Sequence, residues 1–389
     1  MEPIYLDHNA TTPVDQAVVE AMLPFLNEDF GNASSAHSFG RDAKVALEQA
    51  REMIAGIINC QPNELYFTSG GTESDNIAVL GTAYQYPKRK HVVVGSTEHH
   101  AVFEPAEYLH HHDGYDLDFL PVDVEGFASA EQLSELVRDN TAIVSVMHAN
   151  NETGAIQELS TLTEVTRARD ILFHTDAVQS IGKIVVDVKT LGVDLMSLTG
   201  HKIYGPKGTG ALFVRQGVKI APLFYGGAHE KKRRPGTENV AGAVGLARAL
   251  EVAEKQREDD FIRLSKLADE FIDRVTETIP NSFVNSPRKR RIPQTVNMSF
   301  PGAEGESIIL SLDLKGIAAS SGSACTSGAT EPSHVLTAMG IPLERGQAAV
   351  RFSLGRATTA RHLDYVVEVL PPIIERLRAM SPTYRQTQA

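Results

Sequence analysis

From about residue 40 to residue 215, short apolar runs alternate with longer segments of helical periodicity, and each run breaks off into polar and glycine-rich residues. The runs are Leu65-Tyr66-Phe67, His91 to Val94, Ile143 to Met147, Ile171 to His174, Leu195 to Leu198 and Ala211 to Val214. Several are apolar throughout, as strands buried on both faces are. Their alternation with helices predicts an α/β fold built on a mostly parallel sheet. Within Arg41 to Asn59, apolar Val45, Leu47, Ala50, Ile54, Ile57 and Ile58 largely recur at three- and four-residue spacing, which predicts one amphipathic helix. Val240 to about Ile279 reads as a long helix linking two units. Beyond it, Thr295 to Phe300 and Val350 to Leu354 read as half-buried strands. Glu304 to Leu314 reads as a helix, and Thr358 to Met380 as one interrupted by Pro371-Pro372. A chain of 389 residues exceeds the size at which a single core stops growing. The expected division is a large domain, 15–257, and a smaller α+β domain made of 1–14 and 258–389.

Charge narrows the function classes. The 37 Lys and Arg against 49 Asp and Glu give a formal charge of −12, which argues against nucleic-acid binding as the main activity. The clusters Lys231 to Arg234 and Arg288 to Arg291 are local exceptions, readable either as solvated loops or as receivers of a phosphate or an acidic partner. No apolar run approaches the roughly 18 residues that span a bilayer, and no signal peptide is visible, so a cytoplasmic location is expected. The two cysteines, Cys60 and Cys325, make no disulfide framework and show no metal-ligand spacing. No resident metal is expected from His110-His111-His112-Asp113 either, because consecutive residues point in different directions.

The chemistry collects where the apolar runs stop, the place at which open α/β sheets hold their ligands. Leu65 to Phe67 runs into Thr68-Ser69-Gly70-Gly71-Thr72-Glu73-Ser74-Asp75-Asn76. Paired glycines let a backbone approach an anion, and a helix start offers free N–H groups, so a phosphate fits near Gly71 and Thr72. A turn with a helix cap explains the same residues. Other strands end in Ser96 to His100, His148 to Gly154, Phe173 to Ser180 and Leu198 to Gly208. Asp176 and Lys202 lie at the ends of two strands one crossover apart and can face one ligand from two sides. That pair suits pyridoxal phosphate: an amine for its aldehyde and a carboxylate for its ring nitrogen. Thr199 and His201 can add hydrogen bonds to the phosphate.

The segments TSGGTESDN, STEH, ANNETG, HTDAVQS, TGHKIYGPKG, RPGTEN and ASSGSACTSG occur here in the order found in one family. From YLDHNATTP at residue 5 to VRFSLGR at residue 350 the chain resembles the cysteine desulfurases of the NifS/IscS type. These are class V aminotransferases, fold-type I pyridoxal phosphate enzymes. The resemblance implies that Lys202 bonds the cofactor aldehyde, that Asp176 meets the pyridine nitrogen, and that His99 stacks on the ring and serves as acid or base. It gives Gln179 to the phenolic oxygen, and Gly71, Thr72, Thr199 and His201 to the phosphate. Thr237 would reach the phosphate of a neighbouring subunit, which implies a homodimer with shared sites. Asn151 and Arg351 match positions that hold the substrate carboxylate, for which an arginine fork is suited.

Cys325 resembles the nucleophile that takes sulfur from L-cysteine, leaving a persulfide and releasing L-alanine. With a free pKa of about 8.5 its thiol needs help to ionise. Its Ser- and Gly-rich surroundings, about 319–332, imply a mobile loop that carries sulfur to an iron–sulfur scaffold or another acceptor protein. The resemblance also leaves open a transient iron–sulfur ligand role for Cys325. Taken without the family, Cys325 also reads as a small hydrophobe in a glycine-rich turn. Cys60, at the end of an apolar helix, reads as a packed thiol. His8 stands where the family more often has asparagine or tyrosine, and Thr199 where it often has serine. The alternatives are a selenocysteine lyase or another β-lyase on the same fold, a non-catalytic regulator, and a nucleotide-binding enzyme; the last lacks a P-loop or a well-placed G-x-G-x-x-G.

Overall fold

The computed structural model describes residues 3–321, 333–381 and Tyr384. Among them are twelve strands: β1 (Ile4–Tyr5), β2 (Leu65–Thr68), β3 (His91–Gly95), β4 (Asp116–Leu120), β5 (Thr141–Ser145), β6 (Leu172–Asp176), β7 (Leu195–Thr199), β8 (Gly210–Val214), β9 (Phe283–Val284), β10 (Thr295–Ser299), β11 (Ile317–Ala318) and β12 (Ala349–Ser353). Seven form one sheet in the order β2-β8-β7-β6-β5-β3-β4. All its pairings are parallel except those of β8, which runs antiparallel to both β2 and β7. The central strands β3, β5, β7 and β8 are buried along their whole length, as their apolar runs require. The edge strand β4, Asp-Leu-Asp-Phe-Leu, is mostly open to solvent. Its mixed composition hides it from a search for apolar runs.

The first amphipathic helix spans Ser38–Ile58, three residues longer at its start than its periodicity suggests, because His37 caps it by accepting from Gly40 N. Its buried face runs through Ala43, Leu47, Ala50, Ile54 and Ile58; Val45 points to solvent. The long helix Val240–Thr278 passes through two cores. Its first half, to Ala253, packs against the helices Ser38–Ile58 and Gln16–Met22, with Leu246 and Leu250 in the larger core. Its second half gives Leu264, Phe271 and Ile272 to a core shared with Ile4, Leu6, β10, β12 and the C-terminal helix.

That smaller core rests on the antiparallel sheet β12-β10-β9, beside the parallel pair β1-β11. β10 and β12 are fully buried rather than half-buried. Val296, Met298, Val350 and Phe352 enter the core, while Asn297 and Arg351 are covered by the larger unit through bonds to Glu152 and Asn151, and Thr295 is covered by Asn9 of the N-terminal segment. The C-terminal helix, Ala360–Met380, continues through Pro371 and Pro372 instead of breaking there. Leu370, Ile373 and Ile374 anchor it on both sides of the prolines and offset the two missing N–H donors. No helix among the described residues is long and apolar enough to cross a membrane.

Candidate active site

A cavity of about 330 Å³ opens at the carboxyl ends of the parallel strands. Gly71, Thr72, His99, Asn151, Asp176, Gln179, Thr199, His201, Lys202 and Arg351 all line it. Ten of the expected site residues therefore meet in one place. Thr237 is exposed and outside this lining, and Cys325 lies outside the described residues.

One wall is the start of the helix Gly71–Gln85. Its N-cap, Gly70, has no side chain to cap the first turn and holds φ at 154°, a conformation that favours glycine. A Cβ on Gly71 would stand 2.8 Å from Val178 Cγ2, so the absence of a side chain is what keeps this wall open. An uncapped first turn is an anion site. His201 turns Nδ1 toward Thr11 Oγ1 at 3.2 Å, and burial followed by Lys202 lowers its pKa to about 4. The Thr199 hydroxyl donates to Thr209 O at 3.0 Å, so here its proton points away from that turn.

Beside this wall lies Asp176, whose Oδ1 accepts from Val178 N at 2.8 Å. Burial raises its pKa. Asp75 lines the same cavity and is 1% exposed. Burial, then Asp176, pushes its carboxyl well above the usual range. His174 lies under both, between Ser145 Oγ at 2.8 Å and Ser197 Oγ at 3.0 Å, kept neutral by burial. Glu98, also buried and raised by burial, accepts from Met147 N, and its Oε2 has no partner among the described residues.

Lys202 follows β7 and donates to Asn9 O and, at 2.8 Å, to Ala10 O. Gln179 Nε2 reaches the same Asn9 carbonyl at 2.9 Å, and its Oε1 accepts from Lys183 at 2.8 Å. The amide orientation of Gln179 is thus fixed. His99 caps the helix His100–Asp113 by accepting from Ala101 N at Nδ1, 3.1 Å, which places the proton of its neutral form on Nε2. Burial, then Lys202, lowers its pKa to about 4. Arg351 donates to Asn151 O at 3.0 Å and to Asp7 Oδ1 at 2.8 Å.

Several lining groups carry no local signal of their role. Glu152 is buried and accepts from Ser333 Oγ at 2.6 Å. His334 sets Nε2 against Glu98 O at 2.8 Å and packs its ring on His100 and Phe103. Asn9 and Ala10 come from the N-terminal segment. The basic cluster at 288 is largely spent inside the fold: Arg288 pairs with Asp273, Arg291 with Asp269, and Arg290 lies over Phe127. His110 to His112 form the last turn of their helix, a favourable end for histidine, and His110 Nδ1 meets Tyr115 O. Cys60 is buried, which pushes its thiol up to about 12.

The profile of the aminotransferase class-V family matches residues 4–366. The cysteine desulfurase IscS of Dictyoglomus turgidum is 49% identical over 384 residues, 98% of this chain and 97% of that protein. A solved NifS-like protein superposes with a TM-score of 0.89 at 36% identity, over 96% of this chain and 99% of that one. The structure of SspA in complex with cysteine superposes at 0.78 with 34% identity, over 90% and 98%. With its α/β sheet, its second small antiparallel sheet and these relatives, the chain belongs to the aminotransferase class-V family, among the cysteine desulfurases of the IscS/NifS type.

Proposed function

We propose that the chain uses pyridoxal phosphate to move the sulfur of L-cysteine onto Cys325, releasing L-alanine. The observation that carries this reading is the convergence of an amine, a buried carboxylate, an uncapped helix start and an arginine fork on one cavity. The donor set fits the cofactor. Lys202 would hold its aldehyde, Asp176 its ring nitrogen, Gln179 its phenolic oxygen, and Gly71, Thr72, His201 and Thr199 its phosphate. When bound, the cofactor supplies an electron sink for the substrate.

The chain's own groups supply the rest. Arg351 and Asn151 hold and orient the substrate carboxylate. His99, neutral and tethered at Nδ1, holds a proton at Nε2 facing the cavity. Asp75 adds a buried carboxyl to the cavity lining, with His174 behind it. The Cys325 thiolate forms a sulfur–sulfur bond as the substrate Cβ–S bond breaks. The electron pair of that bond remains with Cβ, which takes a proton to become the methyl of alanine, while the Cys325 sulfur is oxidised to a persulfide. Alanine and sulfide release from L-cysteine under reducing conditions tests the reading. Lys202→Ala and Cys325→Ala should each abolish both products, with Cys325→Ala keeping its cofactor; full turnover by Cys325→Ala would overturn it.

A homodimer with shared sites is supported by Thr237, which is exposed beyond its own cavity, and by exposed Leu23, Leu26, Phe30 and Tyr225. A scaffold or other acceptor protein in the cytoplasm would receive the sulfur. We assign the domain boundary to the middle of the long helix, giving 15–257 and 1–14 with 258–389, because the two cores divide there.

A further inference from the structure

The segment that leads into the long helix carries Thr237. Glu230, Lys231 and Lys232 have φ of 43°, 57° and 66°, a region that side chains adopt only under constraint. The constraints are visible. Glu230, with a side chain 5% exposed, makes two bonds to Arg51 at 2.7 and 2.9 Å and accepts from Phe67 N at 3.0 Å. Lys231 donates to Asn63 O at 2.9 Å. Arg233 lies over the Tyr66 ring and donates to Val218 O. Arg234 grips Glu73 with a fork, Nε to Oε1 at 2.8 Å and Nη2 to Oε2 at 3.3 Å. At the far end Asn239 caps the long helix through Gly242 N. Between these anchors only a short tip remains, with Gly236 at φ 115° and Thr237 exposed.

Glu73 is the neighbour of Thr72, on the first turn of the helix that forms the anion wall, and it also accepts from Ser69 N at 2.8 Å. A two-bond fork fixes direction as well as distance. The tip is therefore placed by reference to its own chain's cavity wall. We propose that Arg234, held by Glu73, is a positioning residue that links the two cofactor sites of a homodimer, aiming Thr237 at the phosphate held by the other copy. This deepens, and rests on, the reading of Thr237 given above.

Hybrid dimers test it, with borohydride trapping of pyridoxal phosphate on Lys202 as readout, which counts only sites that have this lysine. Arg234→Met homodimers should need roughly tenfold more cofactor for half occupancy, the order of one lost charge-assisted bond. Paired with a Lys202→Ala subunit, the Arg234→Met subunit receives an intact tip and should regain wild-type occupancy. In the reverse hybrid, wild type with a Lys202→Ala/Arg234→Met subunit, the counted site should be weak. A counted site that stays weak in the first hybrid, or tight in the reverse, overturns the proposal in favour of an effect within one chain. Glu73→Gln, which keeps an acceptor for Ser69 N, should copy Arg234→Met; wild-type occupancy in both homodimers also overturns it. Thr237→Ala separates the two readings: unchanged occupancy there refutes the role of Thr237 itself, while a loss there with none in Arg234→Met refutes only the role of Arg234.

Discussion

Replacing Gly355 by alanine should expel His8 from its place beside the cavity. A Cβ at Gly355 would sit 2.1 Å from Nε2, 2.3 Å from Cδ2 and 2.4 Å from Cε1 of the His8 ring. Carbon contacts are comfortable near 3.5–4.0 Å, so the overlap exceeds about 1 Å on three atoms at once. The ring cannot slip aside. It is buried, its Nδ1 donates to Ser353 O at 3.0 Å, and the Tyr5 ring stands against it with centroids 4.8 Å apart. Overpacking of this kind costs about 1–3 kcal/mol, and losing the hydrogen bond adds about 1 kcal/mol. His8→Ala alone should cost about 2 kcal/mol, from the bond and the vacated space. The two changes should not add: with the ring gone the new methyl has room, and the double variant should be no worse than His8→Ala, so the coupling equals the whole cost of Gly355→Ala, about 2–4 kcal/mol. Urea unfolding midpoints of all four proteins, without cofactor and at one protein concentration, give the cycle. Additive losses would refute the argument.

Three further outcomes follow from the cavity. Arg351→Lys keeps a charge but cannot reach both Asn151 O and Asp7 while facing a carboxylate, so KM for cysteine should rise about tenfold or more with a smaller fall in kcat; unchanged KM in steady-state kinetics would contradict it. His99 has its pKa lowered from 6.5 to about 4, so the unfolded chain takes up its proton first as pH falls and the fold loses stability between those values. His99→Gln should flatten that part of the pH–stability curve, and an NMR midpoint for His99 above pH 6 in the cofactor-free protein would rule the argument out. Asp75 has its pKa raised, so its contribution is harmless below the unfolded value near 3.8 and grows costly as pH rises toward the folded value. Asp75→Asn should therefore raise the melting temperature of the cofactor-free protein at pH 8, with the gap closing toward pH 4; a lower melting temperature at pH 8 would defeat it.

The sheet was legible because buried parallel strands advertise themselves as unbroken apolar runs, and the site because ligands gather where such runs end. Lys202, Asp176 and the Gly70-Gly71 turn needed nothing more. β4 escaped notice since an edge strand keeps polar residues on its open side. Asp75, Glu152 and His334 were equally silent: whether a polar side chain becomes a buried cavity wall depends on which distant segment covers it. The same reason hid the burial of β10 and β12, whose polar faces are covered by the larger unit rather than by water. The Pro371-Pro372 pair misled because the local penalty against helix is visible in sequence, while the core that outweighs it is not.

The long helix extends about 58 Å, at 1.5 Å for each of its 39 residues. It leaves one core near Ala253 and enters the other near Leu264, with no break between. A beam embedded at both ends resists pivoting. Lys202 belongs to the part gripped by one end, and Arg351 to the part gripped by the other. Their separation is thus set by this stiff member together with the bond from Arg351 to Asn151 O that crosses between the two parts, and under the function proposed above the cavity would act as a calliper that gauges the distance from an amino acid's nitrogen to its carboxylate before any chemistry begins.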